Sequence, residues 1–213
     1  MKTRQEIKAA AKVAIANQRS TSILLYLVYM VIVGVIVAIQ LIIPGVVGAL
    51  IYLAAMLVSL VMGVGFYNAY RKIYIGEQTQ LGELFMGYNN FGRNFMGVLW
   101  FIIFFYLWSL LLIIPGIIKG ISYSAVFFIL GESQKVNFRQ ALKLSMKITK
   151  GHKSKIFVLI LSFIGWGLLS ILTLGILWIV YAGPYFAASF GGLYVEMRDA
   201  ALESGVITQE ELA

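Results

Sequence analysis

One apolar stretch of this chain carries an amine and two hydroxyls close together. Lys119 interrupts the apolar run 108–124, and Ser122 and Tyr123 follow it within about one helical turn. In an apolar setting such a group can bind an anion, for example a phosphate or a carboxylate. The same lysine could instead extend to the lipid head groups of the nearer membrane surface, which requires no ligand. Both interpretations stay open.

A second set of basic side chains lies near the middle of the chain. It comprises Lys147, Lys150, His152, Lys153 and Lys155. These residues could bind phosphate head groups, since each lysine near an anionic leaflet contributes about 1 kcal/mol of attraction. They could equally serve only to orient a membrane protein, because positive charge accumulates on the cytoplasmic side. The two roles overlap.

Residue types for catalysis are scarce. His152 is the single histidine, the chain has no cysteine, and like charge from nearby lysines disfavours protonation of the imidazole. Without a second histidine or a thiolate, the sequence provides neither a metal site nor a catalytic triad. We therefore expect no catalytic residue, no metal and no cofactor, and an intramembrane enzyme is the least favoured function.

The composition is that of a membrane protein. Of 213 residues, 61% are hydrophobic and 12% are charged, which is more apolar surface than a soluble core of this size can bury. The net charge of +8 is then interpreted through the position of each charge, and nucleic acid is not an expected partner. The first apolar run has no cleavage site after it and is interpreted as a retained span.

Apolar runs predict six spans arranged as three hairpins. The predicted spans are 23–43, 46–70, two within 96–130, 156–172 and 176–195. About 20 residues are needed to cross the hydrocarbon, so the run 96–130 leaves a middle hairpin that is short, steep or incompletely inserted. Its turn is predicted at Pro115-Gly116, and a bend is predicted at Pro184. Gln40 and Asn68, the polar residues within spans, are expected to join helices by hydrogen bonds.

An amphipathic segment precedes each hairpin, at 2–19, 81–95 and 135–150. We predict that each forms a helix lying along the cytoplasmic membrane surface. The fold class is therefore an all-α polytopic membrane protein in a single domain, 1–213. Its repeat units are about 1–77, 78–133 and 134–198, followed by an acidic, polar and partly mobile tail, 199–213.

The distribution of basic residues predicts the orientation. Every Lys and Arg except Lys119 lies in the termini or in the two long connections between hairpins. By the positive-inside rule, both termini and both connections are cytoplasmic.

Four segments form a pattern that resembles a known family. They are Leu107-Trp-Ser-Leu-Leu-Leu-Ile-Ile-Pro-Gly-Ile-Ile-Lys-Gly-Ile-Ser-Tyr-Ser124, Ala141-Leu-Lys-Leu-Ser145, Lys150-Gly-His-Lys153 and Leu161-Ser-Phe-Ile-Gly-Trp166. The chain resembles the bacterial membrane-protein family catalogued as domain of unknown function 975, over about residues 78–195. This resemblance implies a six-span protein of the bacterial inner membrane and no particular activity. The chain is also distantly similar to the membrane domains attached to some glycerophosphodiester phosphodiesterases.

Three function classes follow. The leading one is a non-enzymatic protein acting at the cytoplasmic leaflet through its basic amphipathic helices, with anionic lipid or a partner protein as the contact. The second is a small transporter or lipid-translocating protein with a site near Lys119, and the third is the enzyme. The expected partners are the phospholipid bilayer and a membrane protein or a second copy of this chain. Small residues at Gly183, Ala187 and Gly191 would allow close packing within the chain or between copies.

Overall fold

A computed structural model describes residues 1–212, apart from the side chains of Gln40, Leu111 and Ile113. Across these residues the chain is all-helical, without a strand, which confirms the predicted class. A 3₁₀ helix covers Leu81–Asn90 and a π-helical segment covers Trp178–Ala182. The α-helices are α1 Arg4–Asn17, α2 Arg19–Ile42, α3 Gly45–Tyr74, α4 Phe91–Leu111, α5 Ile113–Tyr123, α6 Val126–Glu132, α7 Phe138–Thr149, α8 Lys153–Leu161, α9 Ile164–Leu172, α10 Gly183–Glu203 and α11 Gln209–Leu212.

Several helical stretches are long and apolar enough to cross a membrane. They are Arg19–Ile39, Gly45–Tyr74, Leu81–Leu110, Ile114–Glu132 and Lys153–Leu172. These five stretches are compatible with a multi-pass membrane protein. The predicted sixth span, 176–195, is not among them within the described chain. Its helix continues through charged residues to Glu203, and most of α10 is buried by other helices.

The helices pair into three antiparallel hairpins. In the first, α2 packs on α3, and the Tyr70 hydroxyl donates to the Ser22 carbonyl at 2.7 Å. In the second, α4 packs on α5, with Gly120 against the ring of Phe105. The third joins α8 and α9 to the π-helical segment and α10.

The hairpins meet at one end of the molecule, which we call the base. The base comprises α1, the 3₁₀ helix, α6, α7, α11 and the C-terminal halves of α3 and α10. Fully buried aromatic side chains lie here, including Phe128 and Tyr194, whose rings stack 4.7 Å apart. At the hairpin turns, by contrast, Leu110 is 82% exposed and Leu174 is 93% exposed. Apolar ends of this kind suit a hydrocarbon surrounding better than water.

The middle hairpin turns at Leu112, so the predicted turn at Pro115-Gly116 is wrong. Leu112 has an extended backbone and α5 begins directly after it. Pro115 falls within the first turn of α5, where its missing N–H costs no helical hydrogen bond. Lys119 consequently lies two helical turns from the tip instead of one.

The predicted α-helix at 81–95 is replaced by the 3₁₀ helix Leu81–Asn90 and the start of α4. Two glycines explain this. A Cβ atom on Gly65 of α3 would lie 2.3 Å from a carbonyl oxygen of the 3₁₀ helix, and one on Gly87 would lie 2.3 Å from a carbonyl oxygen of α3. Glycine thus allows backbone contact between the two elements. The segment packs on protein within the base.

A break between α5 and α6 is closed by α7. Ser145 of α7 is fully buried, donates its hydroxyl to the Ser122 carbonyl at 2.8 Å and accepts the Ala125 N–H at 3.2 Å. The Thr149 hydroxyl also donates to the Ser122 carbonyl, at 3.2 Å. These bonds satisfy backbone groups that the interruption leaves without helical partners.

The apolar faces of α1 and α7 pack on the hairpins, whereas the sequence predicted helices lying on lipid. Ile7 and Ala11 of α1 are buried, and α1 packs mainly on α10. Leu142 and Ile148 of α7 are buried where α7 meets the middle hairpin. Apolar burial against protein leaves the basic faces of both helices outward.

The third hairpin is irregular on both sides. Its first helix, predicted as continuous over 156–172, is interrupted at Ser162 and Phe163 between α8 and α9. On the return side, the expected bend at Pro184 takes the form of a π-helical segment just before it. Proline has no N–H to donate to the carbonyl four residues earlier, so the helix widens there.

The acidic tail packs against the base, and its predicted mobility stays a prediction. Ile207 and Leu212 are buried, and the Lys147 ammonium lies 2.6 Å from the Glu211 carboxylate. The tail therefore folds back over α7.

The structure shows what the polar residues within the predicted spans and the small-residue stripe contact. Asn68 joins α3 to the 3₁₀ helix, because its amide lies 2.9 Å from the Met86 sulfur; the same prediction for Gln40 falls outside the described side chains. Gly183 packs on the Tyr26 ring and Gly191 on the backbone of α3. The small-residue stripe thus serves packing within one chain.

Candidate functional site

The outward face of α1 carries Arg4, Lys8 and Lys12 in successive turns. A capping box begins the helix: the Thr3 hydroxyl accepts the Glu6 N–H at 3.3 Å, and the Glu6 carboxylate accepts the Thr3 N–H at 2.7 Å. The buried apolar face fixes the rotation of the helix. The three cations are thereby turned toward the third hairpin.

Lys8 lies at the break between α8 and α9. Its ammonium donates to the Ser162 hydroxyl at 3.2 Å and lies 4.3 Å from the centre of the Phe163 ring. The Tyr185 ring of α10 is 5.5 Å from Lys8 and 5.4 Å from the Lys12 ammonium. Aromatic faces attract cations without neutralising them. The break in the helix thus presents a hydroxyl and a ring to α1.

Burial lowers the pKa of Lys8, and the positive charges of Arg4 and Lys12 lower it further. Each of these causes disfavours the ammonium form. Within residues 1–212, none of the three cations forms an ion pair. A bound anion would relieve this unfavourable electrostatic energy.

A cavity of about 360 Å³ lies between α1 and the third hairpin at these cations. We call it the α1 cavity. Its lining in the described chain contains no carboxylate: Arg4, Gln5, Lys8, Ala9, Lys12, Ser162, Trp166 and Tyr185. This lining suits a phosphate group at a membrane interface. It provides ammonium and guanidinium donors, a hydroxyl, an amide and aromatic edges.

Lys119, the first candidate from the sequence, is packed within its own hairpin. Its ammonium lies 4.7 Å from the centre of the Trp108 ring and 6.0 Å from that of Tyr123. Ser122 and Tyr123 are both buried, and the Ser122 hydroxyl donates back to the Ile118 carbonyl at 2.7 Å. The hydroxyls expected beside Lys119 are thus used in packing. An anion site at Lys119 stays a prediction.

The basic residues between 147 and 155 are divided by the structure. Lys147 is paired with the tail at Glu211, whereas Lys150 and Lys155 are exposed and Lys153 is half-buried. The Lys155 ammonium lies 3.1 Å from the Met1 sulfur. A head-group role for these lysines stays a prediction, with Lys147 already occupied.

His152 is half-buried, and its Nδ1 has no hydrogen-bond partner in the described chain. Burial is the main cause that lowers its pKa, and the charge of Lys155 adds to it. The sequence correctly predicted a lowered pKa for His152. That prediction rested on the charge of the lysines alone and did not include the larger effect of burial.

Sequence reasoning missed a group of ionic residues in the base, which we call the ion cluster. It consists of Arg71 on α3, Glu132 on α6, and Arg198 and Asp199 on α10. The Glu132 carboxylate pairs with Arg198, lies 3.7 Å from Arg71 and accepts the Tyr194 hydroxyl at 2.6 Å. Arg71, Glu132 and Arg198 come from three distant helices, α3, α6 and α10. In the sequence, the feature these residues share is a charged residue near the C-terminal end of a helix, and this feature could have pointed to the cluster.

Charges in the ion cluster are balanced. Burial alone would lower the pKa of Arg198, but Glu132 and Asp199 reverse the effect and raise it. Two arginines thus face two carboxylates, and Asn68 accepts from the Arg71 guanidinium at 2.9 Å. We assign the cluster to joining the hairpins, because paired and hydrogen-bonded charges have little capacity left for a ligand.

A family model matches residues 46–200. The chain belongs to the family described as Protein of unknown function (DUF975). The ion cluster and the third-hairpin wall of the α1 cavity lie within the matched range, and the three cations of α1 precede it. No curated protein and no solved structure matches the chain. The distant similarity to glycerophosphodiester phosphodiesterase membrane domains therefore has no support among the matches.

Proposed function

We propose that this family member is a non-enzymatic protein of the bacterial inner membrane that binds anionic lipid head groups in the α1 cavity. The supporting observation is that Arg4, Lys8 and Lys12 line a cavity without a carboxylate, beside the Ser162 hydroxyl and the Tyr185 ring. The cations gain a partner when a phosphate binds, and the rings suit the head-group region.

The base faces the cytoplasm in this proposal. All Lys and Arg residues except Lys119 belong to the base, to the connections that enter it or to the first turns of α2, α4 and α8. Positive charge is retained on the cytoplasmic side during insertion. Anionic lipids give the cytoplasmic leaflet its negative surface potential, so the cavity and its ligand lie on the same side.

An even number of crossings follows from the ends of the described chain. Lys2 pairs with Glu196 at 3.0 Å, and Glu211 pairs with Lys147, so both ends lie at the base. We therefore propose an even number of crossings rather than five. The fifth candidate stretch is Lys153–Leu172. If it and the segment 176–195 both cross the membrane, the chain has six spans. If both enter one leaflet and return, the chain has four.

Packing of the third hairpin favours four crossings. Gly183 meets the Tyr26 ring, and Tyr26 lies seven residues beyond Arg19, about 10 Å along α2. From Gly183 to the turn at Gly175 is about a further 12 Å. Along this path the tip lies about 22 Å below Arg19, less than the roughly 30 Å of a hydrocarbon core.

Cysteine labelling tests this topology, because the chain contains no cysteine. In intact cells, we expect Leu174→Cys to resist a membrane-impermeant maleimide, while Val46→Cys at the first hairpin turn reacts. Both positions are exposed in the molecule. Labelling of Leu174→Cys from outside would establish six crossings instead.

Lipid binding is tested with protein purified in neutral detergent. We expect phosphatidylglycerol to bind more tightly than phosphatidylcholine, and native mass spectrometry measures both affinities. The double variant Lys8→Gln/Lys12→Gln should weaken phosphatidylglycerol binding about tenfold or more, at about 1 kcal/mol per lysine.

A matched double variant separates this site from general attraction. Lys135→Gln/Lys143→Gln removes the same charge at two exposed positions outside the cavity lining. It should leave the preference for phosphatidylglycerol largely unchanged. Equal weakening by both double variants would contradict a specific site.

A further inference from the structure

A second cavity of about 350 Å³ adjoins the α1 cavity on the side of the π-helical segment. Lys12 and Tyr185 line both cavities, so the two adjoin at these side chains. The second cavity has apolar walls at Ile15, Ile23 and Val180. Its position places an apolar space directly beside the proposed phosphate position.

The π-helical segment shapes this space. The Trp178 indole N–H donates to the Tyr26 hydroxyl at 2.6 Å, which holds one side of the segment against α2. Val180 and Tyr181 are left on the other side, each about two-fifths exposed and lining the cavity. Segments of π-helix occur frequently at functional sites, because the widened turn projects side chains that a regular helix would not.

Charge on the second cavity complements an anionic amphiphile. Lys12 and Arg19 are its ionic lining residues, and within residues 1–212 neither forms an ion pair. A cationic rim above apolar walls matches a phosphate joined to a hydrocarbon chain.

We propose that the two cavities hold one anionic phospholipid, with its phosphate between Lys8 and Lys12 and an acyl chain along Ile23 and Val180. This rests on the proposed function and adds to it that the ligand is a whole lipid, recognised by its chain as well as its head group. Binding then strengthens about fourfold for each methylene buried, until the cavity is filled.

The experiment compares phosphate ligands of increasing chain length: glycerol phosphate, then dibutanoyl, dihexanoyl and dioctanoyl phosphatidylglycerol. Native mass spectrometry of the full-length protein in neutral detergent measures each dissociation constant. Ala16, exposed on α1 and part of the second cavity lining, is replaced by tryptophan to fill the space. Val13→Trp, on the same helix at a 62% exposed position outside that lining, is the matched control.

For the unaltered protein and Val13→Trp, we expect affinity to rise steeply with chain length. Ala16→Trp should bind glycerol phosphate as the unaltered protein does, but lose about tenfold or more in affinity for the dioctanoyl lipid. An unchanged chain-length dependence in Ala16→Trp, or the same loss in Val13→Trp, would overturn the chain cavity. If Lys8→Gln/Lys12→Gln leaves glycerol phosphate binding unaltered, it is the phosphate site that fails.

Discussion

The base contains two sets of cations whose surroundings differ. In the ion cluster, Arg71 and Arg198 meet the Glu132 carboxylate, and each arginine has a further polar partner. Along α1, Lys8 and Lys12 meet a hydroxyl and aromatic rings but no carboxylate in the described chain. Neutralised cations hold helices together, whereas cations without an acidic partner are available to a ligand. The position of the carboxylates therefore distinguishes a structural region from a candidate binding region.

Removing the Glu132 carboxylate should abolish this distinction. It is the change from which we expect the largest loss of stability. Glu132→Gln keeps the shape and the acceptor for Tyr194 but leaves two arginines without their shared partner. Breaking a fully buried pair costs about 3–5 kcal/mol, and because Glu132 and Arg198 are half-buried we expect about 2–3 kcal/mol here. We expect the midpoint of thermal unfolding to fall by about 10 °C, followed by tryptophan fluorescence of the purified protein.

Glu203→Gln provides the control for that change. Glu203 is exposed and forms no ion pair within residues 1–212, so the same substitution should leave the unfolding midpoint nearly unaltered. Equal midpoints for the two variants would mean that the ion cluster contributes little to joining the hairpins.

Adding positive charge at His152, beside Lys155, should have a smaller effect. His152 has a pKa below its ordinary value because of burial and Lys155, so the unfolded chain binds the proton more readily than the folded chain. Stability should be unaffected well above pH 6.5 and should decrease as the pH falls below about 6.5 toward the lowered pKa.

We expect the unfolding midpoint to be lower at pH 5.5 than at pH 7.5 for this reason. The reference is His152→Asn, which cannot titrate in this range and should lose that part of the pH dependence. If the unfolding midpoint depended on pH identically in the two proteins, titration of His152 would not be the cause of the decrease.

Local pattern was sufficient to predict the long helices. The predicted bounds of α2, α3 and α7 lie within a few residues of the observed ones. The first two came from apolar runs and the third from an amphipathic segment. The turn at Leu112 was missed because proline is tolerated in the first turn of a helix, so Pro115 does not mark the end of the hairpin. The 3₁₀ helix was missed because it depends on contact with Gly65 on another element.

The candidate site was visible only in part. The segment 2–19 was predicted to be a basic amphipathic helix, but nothing in the sequence indicated that Ser162 and Tyr185 would face it. These contacts depend on how α1 docks on the third hairpin. The ion cluster was hidden for the same reason, since its members come from three distant parts of the chain and only packing brings them together.

The bridge from α7 to the break in the middle hairpin implies an order of assembly. When the ribosome has completed α5 and α6, the Ser122 carbonyl and the Ala125 N–H still lack the partners that Ser145 and Thr149 later supply. Buried backbone groups without partners are costly, so the break is not fully stabilised until the next unit of the chain is made. Maturation of the second hairpin is therefore coupled to synthesis of the third unit. A chain cut between residues 133 and 137 should yield two fragments that mature only when produced together.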